Sequence, residues 1–152
     1  MELAAVVREA LETQVLEHEP IEAAQVLERG ARTIGANELA GGLLDAAAVA
    51  LRRMVSETDE AFDRSDLLAQ LALDGAVPDE HIELLGELLT TAAATAGGVR
   101  PPVDALAASL GTEQLLFGAW LAVLTAIRVV SIALERTEAE VVEDVINAVD
   151  AF

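Results

Sequence analysis

The chain has 152 residues and a net charge of −18, from 27 acids against nine basic residues. Every basic residue is an arginine, and cysteine, tyrosine and lysine are absent. These absences exclude disulfides, thiolate ligands, Schiff bases and the lysine of a phosphate-binding loop. The acidity argues against nucleic acid or an anionic membrane surface as a partner, because affinity for phosphate needs clustered positive charge. One domain over 1–152 is expected at this length, with a hinge at 97–102. The opening MELAAVVREALETQ has no basic region ahead of an apolar run, so a cytoplasmic location is expected. Acid-rich, lysine-free usage also suits a salty cytoplasm or a GC-rich genome, and that background accounts for part of the charge.

Helical periodicity runs through the chain, and no segment alternates with a period of two. Leu3, Val7, Leu11 and Val15 recur every four residues, which predicts a first helix ending before Pro20. Pro20 suits the first turn of a second helix to about Arg32. Gly35 breaks the chain, and Asn37 is placed to cap a third helix to about Glu57, with Leu43, Ala47, Leu51, Met54 and Val55 on its apolar stripe. Gly41-Gly42 either delays that helix or admits a close neighbour. A loop over 58–66 precedes a short helix to Asp74, and Pro78-Asp79 opens another that ends at Gly97-Gly98. After the GGVRPP connector come a short helix over Val103 to Leu110, Gly111, and a long apolar helix over about 113–136. Thr137 and Glu140 fit a capping box for the last helix, whose face is Val141, Val142, Val145, Ile146, Val149 and Phe152. The expected fold is all-α: an antiparallel bundle of seven to eight helices with the long apolar helix at its centre or at a dimer seam.

That helix reads LLFGAWLAVLTAIRVVSIAL from Leu115 to Leu134, with Arg128 as its only charge. Such a helix must be covered by core, by a second subunit or by lipid. A span needs about 20 apolar residues, but Arg128 inside the run and Glu113 and Glu135 at its ends argue against lipid. Gln114, Gly118, Thr125, Arg128, Ser131 and Glu135 share one arc with Phe117, Leu121, Leu124 and Ile132, so no clean solvent stripe exists. Phe117, Trp120, Leu121, Leu124, Ile127 and Val130 are the candidate association surface, aromatic residues being frequent anchors. Arg128 has no acid three or four residues away. Its counter-charge must therefore come from another helix, another chain or a carboxylate or phosphate ligand, because an unpaired buried guanidinium is costly.

Sites of chemistry are sparse. His18 and His81 lack the Glu-x-x-His and His-Glu-x-x-His spacings of metal helices, so no metal or cofactor is expected. The acidic run at 57–66 lacks the glycine and spacing of a calcium loop. Ser56, Ser65, Ser109 and Ser131 sit in no nucleophile motif. An enzyme would need a polar pocket at Arg128 with an acid or histidine converging on it. Arg8–Glu12, Glu28–Arg32, Arg53–Glu57 and Glu60–Arg64 are expected as surface pairs one turn apart.

Residues 57–87 hold ten acids and one arginine. Within them Asp59, Glu60, Asp63, Asp66, Asp79, Glu80, Glu83 and Glu87 form a candidate docking face for a basic protein, as an inhibitor, immunity protein or nucleic-acid mimic would offer. The reading favoured overall is a non-catalytic, acidic helical interaction module that forms a homodimer.

Overall fold

The computed structural model describes residues 2–58, 84, 87–88, 90–92 and 103–149. Among them the fold is an all-α helical bundle with no strand. The elements are α1 (Leu3–Leu11), a π-helical turn (Glu12–Leu16), α2 (Pro20–Thr33), α3 (Ala36–Thr58), α4 (Val103–Leu110), α5 (Thr112–Leu134) and α6 (Glu138–Val149). Residues 84, 87–88 and 90–92 are also helical. The loop, short helix and hinge expected at 58–66, 66–74 and 97–102 lie, but for Thr58, outside the described residues.

Most predicted helix ends match the observed ones. Pro20 occupies the first turn of α2, where its missing N–H is no loss. α4 runs over Val103–Leu110 as read, and Gly111, at φ 87°, turns the chain into α5. The capping box ahead of α6 is formed: the Glu140 N–H donates to Thr137 Oγ1 at 3.2 Å, and the Thr137 N–H donates to Glu140 Oε1 at 3.5 Å. Asn37 does not cap α3. It lies inside the first turn, and its Oδ1 is buried without a hydrogen-bond partner.

The first helix departs from the α pattern. Its apolar residues repeat every four positions, while an α-helix turns every 3.6, so the stripe drifts around the helix by about 40° per repeat. The wider π turn at Glu12–Leu16 takes up that drift and keeps Val15 against the core. Thr13, the buried polar residue here, turns its hydroxyl back to the Glu9 carbonyl at 2.7 Å.

α3 and α5 form the central pair and pack along their lengths. α1 and α2 cover one side of α3, α6 bridges α3 and α5, and α4 leans on both. Small residues let these helices approach. Ala119, Ala122 and Ala126 of α5 and Ala40, Ala46, Ala47 and Ala50 of α3 are all buried. Between them Leu39, Leu43, Leu44, Leu51, Leu115 and Ile127 are at most 1% exposed, and each such side chain contributes about 1.5–3 kcal/mol by leaving water. Gly41-Gly42 does not delay α3. Gly42 is inside the helix, and a Cβ there would sit 2.7 Å from Leu3 Cδ1, so the glycine seats α1. Gly118, expected on the polar arc of α5, is buried instead. A Cβ on it would overlap Leu88 Cδ1 and lie 3.3 Å from Leu84, so the glycine makes room for these two leucines.

Candidate functional site

Two features of α5 set it apart: the composition that makes it apolar all round, and the partial cover the bundle provides. Its inner side, Leu115, Gly118, Ala119, Ala122, Val123, Ala126, Ile127 and Val130, is buried. Its outer side is not. Phe117 is 45% exposed and Ile132 60% exposed, with Trp120, Leu121 and Leu124 half-buried between them. α5 is long and apolar enough to cross a membrane by length and composition, with mean hydropathy 2.1, yet only 44% of that window is buried. A helix at the middle of a closed core would be covered all round. This one leaves Phe117 and Ile132 exposed in part, beside Trp120, Leu121 and Leu124 at the edge of the core.

The six residues expected on an association surface therefore divide. Phe117 is exposed, while Trp120, Leu121 and Leu124 are partly buried and pack against the edge of the core. Ile127 and Val130 lie deeper: they are 1% and 0% exposed and belong to the core shared with α3 and α6. The physical reason is angular, since Ile127 and Val130 point about 80° and 140° around the helix from Phe117, toward the bundle.

Arg128 is also on the outer side. It is exposed, so the cost of burying an unpaired guanidinium does not arise, and it forms no ion pair among the described residues. Its neighbours one turn away on α5 are Leu124, Thr125, Ser131 and Ile132, none of them an acid or histidine. Ser131 is itself engaged, donating its hydroxyl to the Arg136 carbonyl at 2.6 Å.

A second feature is a groove of about 510 Å³ between α3, α5 and α6. Val49, Val130, Leu134, Val141 and Val145 make an apolar floor, and Arg52, Arg53, Ser56, Asp144 and Asn147 line its edge. Beside it runs a four-member charge network. Arg53 meets Glu57 at 2.9 Å and Asp144 at 3.9 Å, and Arg136 meets Glu57 at 3.3 Å and Asp144 at 3.4 Å. Arg136 follows α5 and Asp144 is on α6, so this network ties both to the end of α3. Only Arg53–Glu57 was legible by spacing, because the Arg136 contact to Glu57 joins residues 79 positions apart.

The other expected pairs are present where described: Arg8–Glu12 at 3.2 Å and Arg32–Glu28. Arg29 adds a link from α2 to Glu9 of α1 at 3.7 Å. All are exposed and contribute a few tenths of a kcal/mol, ~0.2–0.5 each. Glu60–Arg64 lies outside the described residues. So do Asp59, Glu60, Asp63, Asp66, Asp79, Glu80 and Glu83 of the acidic docking face; Glu87, its remaining member, is exposed.

His18 is exposed in the turn before α2, in the left-handed region at φ 56°. His81 lies outside the described residues. Among the described residues no group of three or more histidines and acids converges on one point. The chain matches no protein-family model, no curated protein and no solved structure.

Proposed function

We propose that this chain is a helical protein–protein interaction module that associates with a second copy of itself through the outer face of α5. The observation that carries the reading is the apolar stripe itself, with Phe117 45% and Ile132 60% exposed on a helix whose opposite side is fully packed. Exposed apolar side chains on a helix packed along its other side support an interaction site. Two-fold homodimers are the commonest assembly, and they often resemble a core divided between subunits. A second copy is favoured over lipid because Arg128 interrupts the stripe and acids, Glu113 and Glu135, flank it.

The charge gives the test a definite sign. Each copy carries −18, so two copies repel at long range while the apolar contact attracts. Salt shortens the screening length from about 10 Å at 0.1 M to about 3 Å at 1 M, which weakens the repulsion and leaves apolar burial in place. Light scattering without detergent is expected to give twice the chain mass of 15.9 kDa, with the dimer persisting to lower protein concentration as salt rises. A docking face for a basic protein predicts the opposite trend, its complex weakening with salt. A monomer at every concentration and salt would overturn the reading. Binding to neutral vesicles by such a monomer would assign the stripe to lipid.

A further inference from the structure

The groove between α3, α5 and α6 has an amphipathic lining. Val49, Val130, Leu134, Val141 and Val145 give its floor, and the small side chains of Ala50 and Ala148 leave it open. Its volume of about 510 Å³ falls within the ~300–1,000 Å³ of small-ligand sites. The charged residues lining it are Arg52, Arg53 and Asp144. Two of these are already engaged, since Arg53 meets Glu57 and Asp144, and Asp144 also meets Arg136. Arg52 differs. It is exposed at the rim and makes no ion pair or hydrogen bond among the described residues. The positions one turn away along its helix hold Ala48, Val49, Val55 and Ser56, so no local acid can neutralise it.

We propose that this groove binds a small carboxylate with a straight apolar tail, the tail lying on the valine and leucine floor and the carboxylate on the Arg52 guanidinium. The paired N–H donors of a guanidinium match the two oxygens of a carboxylate, and a tail on this floor leaves water. Charge selects the head group. The lining and its charge network hold Arg52, Arg53 and Arg136 against Glu57 and Asp144, a positive excess in a chain of net charge −18. Shape selects the tail. The lining runs from Val49 to Ser56 along α3 and from Val141 to Ala148 along α6, about 10 Å in each case at ~1.5 Å per residue. Two turns of a partner helix, 10–12 Å across, fill roughly 800 Å³ and would overfill the groove, whereas an extended alkyl chain fits along it. The site is independent of the self-association reading.

Isothermal titration calorimetry of the full chain with decanoate, kept below micelle-forming concentration, should show one site per chain. Decanol and decylamine keep the tail and change the head, and each should bind about tenfold more weakly or worse, the cost of losing a charge-assisted hydrogen bond. Arg52→Ala should weaken decanoate by a similar factor and leave decanol unchanged. Arg128→Ala removes the same charge from an exposed arginine outside the groove, and decanoate affinity should stay within about twofold, since salt screens that charge. Ala148→Leu puts a longer side chain into the groove and should abolish binding of decanoate and decanol alike. Circular dichroism checks that each variant keeps its helicity, and the two arginine variants, both at exposed sites, carry the test if Ala148→Leu does not. Four outcomes would overturn the proposal: no binding of decanoate up to about millimolar concentration, decanol bound as tightly as decanoate, equal losses with Arg52→Ala and Arg128→Ala, or unchanged binding by a folded Ala148→Leu variant.

Discussion

α3 and α5 are each 23 residues long and lie against one another at the middle of the bundle, yet the more apolar of the two is the less covered. α3 carries Glu38, Arg52, Arg53 and Glu57 toward water and buries Leu39, Leu43, Leu44, Leu51 and Met54. Its sequence states which side faces in, and the bundle obeys. α5 has no such polar side, and its neighbours alone decide which of its apolar residues are hidden. Apolar content therefore measures how much cover a helix requires, and it does not measure how much cover its own chain supplies. The surplus on α5 is the ground for the self-association proposed above.

The widest contrast between the two helices should appear on truncating a leucine in each. Leu43 is fully buried in α3, so Leu43→Ala is expected to cost about 2–5 kcal/mol of unfolding free energy, as lost transfer plus a cavity. Leu121 is half-buried on the outer side of α5, and Leu121→Ala should cost under about 1 kcal/mol in the monomer, the usual range of surface changes being ~0.5 kcal/mol. Denaturant titration at a protein concentration below the association range makes the comparison. Equal losses would mean that the outer stripe is as tightly packed as the core, and the distinction between the two helices would disappear.

How much of this was legible in the sequence follows the same division. Helix ends were legible wherever a residue has a local mechanism: Pro20 at the start of α2, Gly111 before α5, and the Thr137–Glu140 box before α6. Four residues of the expected α6 face, Val141, Val142, Val145 and Ile146, are buried as read, while Phe152 lies outside the described residues. The side of α5 that faces inward was not legible, for want of a polar stripe, and so Ile127 and Val130 joined a surface to which they do not belong. Arg128 invited a buried partner only while the helix was taken as enclosed. The four-residue repeat of the first helix did hold the signal of its π turn, since a period longer than 3.6 needs a wider turn somewhere to hold one face. The Arg136–Glu57 contact leaves no trace in local spacing at all.

The orientation of α5 depends on its junction with α6, which is therefore the next place to sharpen the contrast. The capping box fixes the start of α6, and α6 covers the inner side of α5 near Val130 and Leu134. Thr137→Ala removes the side-chain acceptor for the Glu140 N–H and should cost about 1 kcal/mol. Because Phe117, Trp120, Leu121 and Leu124 lie two turns or more before this junction, self-association through them should change little. A large loss of association with Thr137→Ala would show that the outer stripe depends on where α6 holds the helix.

The smallest effect, and the one of opposite sign, belongs to Glu135. α5 ends in a Schellman arrangement: the Glu135 N–H donates to the Ile132 carbonyl at 3.3 Å and the Arg136 N–H to the Ser131 carbonyl at 3.0 Å. The left-handed position of this motif favours glycine, and here Glu135 holds it at φ 54°, ψ 43°. A side chain in that region costs about 1–2 kcal/mol, and a carboxylate at a helix C-terminus is further disfavoured by the helix dipole. Glu135→Gly relieves both, against the greater freedom that glycine gives the unfolded chain, for a net gain of about 1 kcal/mol. Glu135→Ala removes the charge and keeps the strained backbone, so it should fall short of the glycine variant. Thermal unfolding of the two variants separates the terms. If alanine stabilised as much as glycine, the carboxylate alone would be the burden, and the left-handed turn would cost α5 nothing.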